Sequence, residues 1–136
     1  MEASTPISTI MTKKVIVADL NTKFSDILVL FLDYRIYHLP VVNSNKLIGM
    51  VSLTDALRFF RKEANNIKDE DLDKLFDIKI MMTENPSSLG PHNTVKEAAE
   101  ILSKAKYRSL PVLDEAEQIL GIISNKDLVK VLNKVI

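Results

Sequence analysis

The sequence predicts an α+β fold built from two β-α-β-β-α repeats packed with pseudo-twofold symmetry. Three observations carry this. The chain repeats itself about 71 residues apart: Met11-Thr12 returns as Met82-Thr83, Leu39-Pro40-Val41 as Leu110-Pro111-Val112, and Ser52-x-x-Asp55 as Ser124-x-x-Asp127. Each copy alternates short β-branched runs with segments of helical periodicity. At 136 residues in all, one copy alone buries too little surface to be comfortably stable, so the core is expected between the copies. The repeats are taken as residues 7–62 and 79–136, with a charged connector over 63–78.

In chain order, Val15-Ile16-Val17 is short and β-branched and predicts the first strand. Phe24, Ile27, Leu28, Phe31 and Leu32 fall at helical spacing, and Thr22 stands where it can cap that helix. Two strands follow over 37–42 and 46–51, joined by Asn43-Ser44-Asn45. Leu39 precedes Pro40, and a residue before proline avoids helical geometry, which favours the strand. A second helix begins near Ser52 and runs through Ala56, Leu57 and Phe60. The stretch 61–79 carries Lys68-Asp69-Glu70-Asp71 and Asp73-Lys74, and predicts a solvated connector with a helical turn through Leu72 and Phe76. The second copy repeats the pattern: Ser87-Ser88-Leu89, a helix through Val95, Ala98, Ala99 and Leu102, strands over 109–113 and 119–123, and a last helix through Leu128, Val131, Leu132 and Val135. Gly49 and Gly121, two of three glycines, each interrupt an apolar run, as a strand bend or close backbone approach requires.

Composition narrows the function classes. Lys+Arg and Asp+Glu both number 18, which argues against a surface made to coat nucleic acid. The absence of cysteine excludes disulfides and thiolate chemistry. No apolar run reaches membrane-spanning or signal-peptide length, so membrane insertion is not expected and a cytoplasmic location is the default. No nucleophile–base pair stands out, and His38 and His92 lie in different contexts, so no catalytic residue is expected. The acidic stretch 69–73 matches no calcium loop, and no metal site is expected.

The order Met-Thr, short strand, helix, His/Arg-x-Leu-Pro-Val and Gly-h-h-Ser-x-x-Asp, appearing twice, resembles the CBS (cystathionine β-synthase) domain, and the tandem resembles a free-standing CBS pair, or Bateman module, of prokaryotic type. The resemblance covers the chain from about Ile7 to its end. It implies two clefts, each able to hold AMP, ADP or ATP, or less often S-adenosylmethionine, as a regulatory ligand rather than a required cofactor. Carried over by position, Ser52, Thr54 and Asp55, and Ser124, Lys126 and Asp127, supply the ribose and phosphate contacts. Tyr37 and His38, with Arg108 and Ser109, lie on the phosphate side. Val15 and Ile16, with Pro86 and Ser87, line the base.

The residues themselves point the same way. Each serine sits where a strand ends and a helix starts, and the unpaired N–H groups of a first helical turn favour an anion. A carboxylate accepts hydrogen bonds only, so Asp55 and Asp127 suit a cis-diol, which donates two. Ser-x-x-Asp before an apolar run is also a helix-capping pattern, and the two roles compete most directly for the aspartates. Lys126 occupies a first helical turn, where the dipole disfavours a cation unless it holds an anion. Arg108 and Lys126 give the second copy more positive charge, so charge alone ranks the Asp127 site as the tighter. Two functions compete: an adenosine-nucleotide sensor, and an interaction module that modulates an unknown partner enzyme or transporter without a nucleotide. Phe59, Phe60, Leu128 and Val131 exceed one helix stripe and predict a homodimer through the helices of both repeats.

Overall fold

The structure, a computed structural model, describes residues 3–63 and 69–136, with the side chains of 69–71 outside the described residues. Lys68 and those side chains are half of the charged residues in the 63–78 connector and lie outside that set. After a 3-10 turn at Ile7–Thr9 come α1 (Phe24–Tyr34), β1 (His38–Asn43), β2 (Lys46–Ser52), α2 (Leu53–Glu63), α3 (Asp69–Leu75), α4 (Ile78–Met81), β3 (Thr83–Glu84), α5 (Val95–Lys104), β4 (Ser109–Leu113), β5 (Ile119–Ser124) and α6 (Asn125–Val135).

Two hairpins organise the chain. β1 and β2 pair antiparallel around Ser44 and Asn45, whose φ angles of 50° and 66° give a turn matched to strand twist. β4 and β5 pair in the same way, with the Asp114 carboxylate accepting from the amides of Ala116 and Gln118, both at 2.9 Å.

The compact units are not the sequence repeats. One unit comprises Met1–Val15 with Ser87–Ile136, the other Ile16–Pro86. The opening segment of each repeat has thus been exchanged. Thr12 bridges Ile122 of β5, while β3 pairs with Gly49 and Met50 of β2. Ile7 is fully buried with Leu89, Ala98, Leu110, Val112 and Ile123. Its counterpart Ile78 is buried with Phe24, Ile27, Leu39, Val41 and Val51. Each unit has a buried cluster to which both copies contribute, Ile78 joining residues of the first copy and Ile7 residues of the second.

Both glycines serve close approach. A Cβ on Gly121 would stand 2.7 Å from the Met11 sulfur and 2.9 Å from the Thr12 carbonyl oxygen. One on Gly49 would collide with the Met82 sulfur and come 3.1 Å from the Thr83 carbonyl oxygen.

Three expectations are corrected. Residues 15–17 form no strand; contact with β1 is a single parallel bridge, Ala18 to Val41. Ala18 donates to the Pro40 carbonyl and accepts from the Val42 amide, each at 2.8 Å. The next rung would need an N–H from Pro40, which proline lacks. Leu89 makes the same pair of bonds across Pro111, so 87–89 is likewise one bridge. Secondly, Thr22 does not cap α1; its hydroxyl accepts from the Asp19 amide at 2.9 Å. Asp73 of α3 does the capping, taking the Ser25 amide at 3.0 Å and its hydroxyl at 2.9 Å. Thirdly, the connector is partly core: Leu72 is buried, and Phe76 packs on Phe24 and Phe59 with ring centroids 5.6 and 5.5 Å away. Phe59, assigned from sequence to a dimer face, belongs to this aromatic cluster.

Candidate functional site

Each Ser-x-x-Asp closes into a capping box at a strand-to-helix junction. At α2, Ser52 N–H donates to Asp55 Oδ2 and Asp55 N–H to Ser52 Oγ, both at 3.0 Å. At α6, Ser124 N–H donates to Asp127 Oδ2 at 2.9 Å and Asp127 N–H to Ser124 Oγ at 3.2 Å. Asp serves in place of the more usual Glu, and the capping role weighed from sequence is realised in both copies.

Strand register brings the phosphate-side positions to these boxes. His38 stands opposite Ser52, and Ser109 opposite Ser124. The Tyr37 carbonyl accepts the Leu53 amide at 2.8 Å, and the Arg108 carbonyl accepts the Asn125 amide at 2.9 Å. This corrects one expectation. The amides at the first and third helical positions are satisfied internally, so the helix start is a weaker anion site than an open first turn would be. The Tyr37 and Arg108 side chains are exposed, His38 is half-buried and Ser109 buried, while Thr54 and Lys126 are exposed on the first turns.

The two carboxylates differ in surroundings. Asp127 Oδ1 accepts from Thr12 Oγ1 at 3.2 Å, and the residue is only 8% exposed. Asp55 Oδ1 instead faces Arg58 Nη1 at 3.4 Å, with side chains 27% and 65% exposed respectively. Asp55 and Arg58 also line a cavity of 290 Å³ with Phe59, Lys62 and Phe76. A larger concavity of 640 Å³, walled by Asp114, Glu115 and Glu117, contains none of the candidate residues. Thr12, which touches the second box through Asp127, is not among the residues expected from sequence. Its signal was the recurrence of Met-Thr, used there only to align the copies.

The base-side candidates sit at the chain crossings. Val15 ends the first segment of one unit and Ile16 opens the other; Pro86 and Ser87 mark the return. Ile16 packs on the core of its own unit. No hydrogen bond joins any of the four to a capping box among the described residues. Among those residues there is also no cluster of three or more metal-ligating side chains, and no helix long and apolar enough to cross a membrane.

The profile of the CBS domain matches residues 7–62 and 75–134. The chain belongs to the CBS domain family. Among curated CBS relatives, it is 28% identical over 93% of its length to uncharacterized protein MJ0188 of Methanocaldococcus jannaschii, covering 44% of that protein. It is 38% identical over 73% of its length to the inosine-5'-monophosphate dehydrogenase of Halalkalibacterium halodurans, covering 18% of it. The chain spans less than half of the curated relatives it matches. Among solved CBS structures, CBSX2 in complex with AMP superposes with a TM-score of 0.81 at 24% identity, covering 96% of this chain and 98% of that one. The CBS domain pair of protein MJ0100, in complex with 5'-methylthioadenosine and S-adenosyl-L-methionine, gives 0.80 at 22% identity, covering 97% and 98%. These likenesses establish the CBS-pair fold, two strand-then-helix repeats in a mixed α/β chain.

Proposed function

We propose that this chain is a regulatory module without catalysis of its own, which takes AMP, ADP or ATP at its two Ser-x-x-Asp boxes. The observation that carries the reading is the hairpin register found in both units. It sets His38 beside Ser52 and Ser109 beside Ser124, with the Tyr37 and Arg108 carbonyls taking the amides of Leu53 and Asn125. A ribose diol then donates to Asp55 or Asp127, while His38, Arg108 and Lys126 supply donors for phosphate. The base rests on the crossing segments that hold Val15, Ile16, Pro86 and Ser87. AMP in CBSX2, and 5'-methylthioadenosine and S-adenosyl-L-methionine in MJ0100, support an adenosine-containing ligand as the class. Similarity to the γ-3 subunit of 5'-AMP-activated protein kinase, 26% over 76% of the chain, supports a regulatory role.

The test is a thermal-shift and calorimetric panel of AMP, ADP, ATP and S-adenosylmethionine, with and without Mg²⁺. A ligand that binds only the folded state raises the melting temperature by mass action. With few cations near the boxes, AMP or ADP is expected to match or exceed ATP without Mg²⁺. No heat and no shift with any of them at millimolar concentration overturns the reading.

A second reading has its own observation. Val29, Leu32, Leu132 and Val135 are each more than half exposed on helices, and apolar residues left in water favour association. In that reading the chain is a homodimer that docks on a regulated protein, and the boxes serve capping alone. The same panel separates the two.

A further inference from the structure

We propose that Thr12 is a competitor built into the Asp127 site, holding the carboxylate oxygen that a vicinal diol would take, and that Asp55 is therefore the stronger diol acceptor. This rests on the nucleotide reading above and deepens it. A carboxylate offers about four lone-pair positions. At Asp127, Oδ2 accepts from Ser124 N–H at 2.9 Å and Ser124 Oγ at 3.0 Å, while Oδ1 accepts from Thr12 Oγ1 at 3.2 Å. A diol donating two bonds must displace one of these. The Ser124 amide is fixed in the backbone and the Ser124 hydroxyl oxygen is held in the box by the Asp127 amide at 3.2 Å, so the Thr12 hydroxyl, the donor from outside the box, is the group that gives way.

Thr12 does not leave easily. Its amide donates to the Ile122 carbonyl and its carbonyl accepts the Ile122 amide, both at 2.9 Å. Gly121 lets the Met11 side chain and this segment lie close against β5. Only χ1 rotation frees the hydroxyl, and branching at Cβ restricts it. At Asp55 the corresponding oxygen faces Arg58 at 3.4 Å, on a side chain 65% exposed that water can serve instead. Thr83, the sequence counterpart of Thr12, pairs with Met50 and makes no hydrogen bond to Asp55 among the described residues. The count of positive charges favours the Asp127 site for phosphate. Occupation of its carboxylate reverses that order for the sugar.

Calorimetry with AMP, and with adenosine, which keeps the diol and lacks phosphate, tests this. Asp55→Ala leaves the Asp127 event alone, and adding Thr12→Val removes the hydroxyl while keeping the branched shape. The double variant is expected to bind both ligands roughly two- to tenfold tighter than Asp55→Ala, the range of one hydrogen bond. Thr12→Ser in the same background restores the original affinity. In otherwise native protein, Thr12→Val moves the weaker event toward the stronger, which keeps the test intact should Asp55→Ala fold poorly. Equal or weaker binding with Thr12→Val overturns the inference while nucleotide binding stands. Absence of any binding by the native chain at millimolar ligand overturns the nucleotide reading itself, and this inference with it.

Discussion

Asp55 and Asp127 occupy the same place in the same four-residue box, and the difference between them comes from a residue far away in sequence. Asn is the informative replacement, because it retains size and much of the capping while losing charge. Asp55→Asn is expected to weaken the tighter adenosine event by about 1.5–3 kcal/mol, the usual contribution of a hydrogen bond to a charged group. Asp127→Asn is expected to remove the weaker event. Calorimetric titration of both against native protein checks the order; unchanged binding with lowered melting temperatures leaves capping as their whole role. The glycines differ as well. An alanine at either glycine first meets a flexible Met thioether, but the nearest backbone oxygen stands 2.9 Å away at Gly121 and 3.1 Å at Gly49. Gly121→Ala should therefore cost more than Gly49→Ala, about 1–3 kcal/mol as overpacking typically does, read from denaturant midpoints. The serine and aspartate positions were legible in sequence because capping and diol binding need the same residue types at the same spacing. Thr12 was not, because its partner lies across a strand pairing that no local pattern encodes.

Helix ends show two ways of satisfying orphan amides. α5 is capped locally: Thr94 and Glu97 form a reciprocal box, and Asn93 adds a further hydrogen bond to Glu97. The Thr94 backbone amide first, then the Asn93 and Thr94 side chains, hold the Glu97 carboxyl below its ordinary range. A carboxyl depressed in the folded state contributes stability above its unfolded pKa and loses it as pH falls through the folded value. The melting difference between native protein and Glu97→Gln should thus be constant above the ordinary carboxylate range, about 4 to 5, and close below it. α1 is capped at a distance by Asp73. Asp73→Ala is expected to cost about 1 kcal/mol, a typical cap, with the loss seen in thermal melts. Sequence periodicity located α1, both hairpins and α6. It assigned the wrong cap because Thr22 has the right chemistry while its hydroxyl is taken by the turn before it. It extended the first strand because β-branching is read residue by residue, whereas the ladder ends at Pro40 on another strand.

For the whole molecule, the exchange of opening segments decides which residues share a unit. Ile7 completes the cluster built from the second repeat, and Ile78 the one built from the first. Each small unit gains a fully buried isoleucine and an added strand contact from the other repeat's sequence. The helices keep exposed apolar side chains: Leu32 is 75% exposed and Leu132 54%. A homodimer is expected, with light scattering giving twice the monomer mass at tens of micromolar, an order suited to such interfaces. A monomer at that concentration rules the homodimer out. Phe59 takes no part, being held by Phe24 and Phe76.

The sequence by itself determined the duplication, the strand-then-helix order and the two Ser-x-x-Asp boxes, since each depends on spacing within a few residues or on recurrence at a fixed interval. Tertiary structure alone decided which copy each Met-Thr segment joins, what caps α1, and that Asp127 shares its oxygens with Thr12 while Asp55 does not. Those outcomes depend on which strand edge has an amide to offer and which glycine leaves room for a neighbour. Chain segments distant in sequence must come together before either can act.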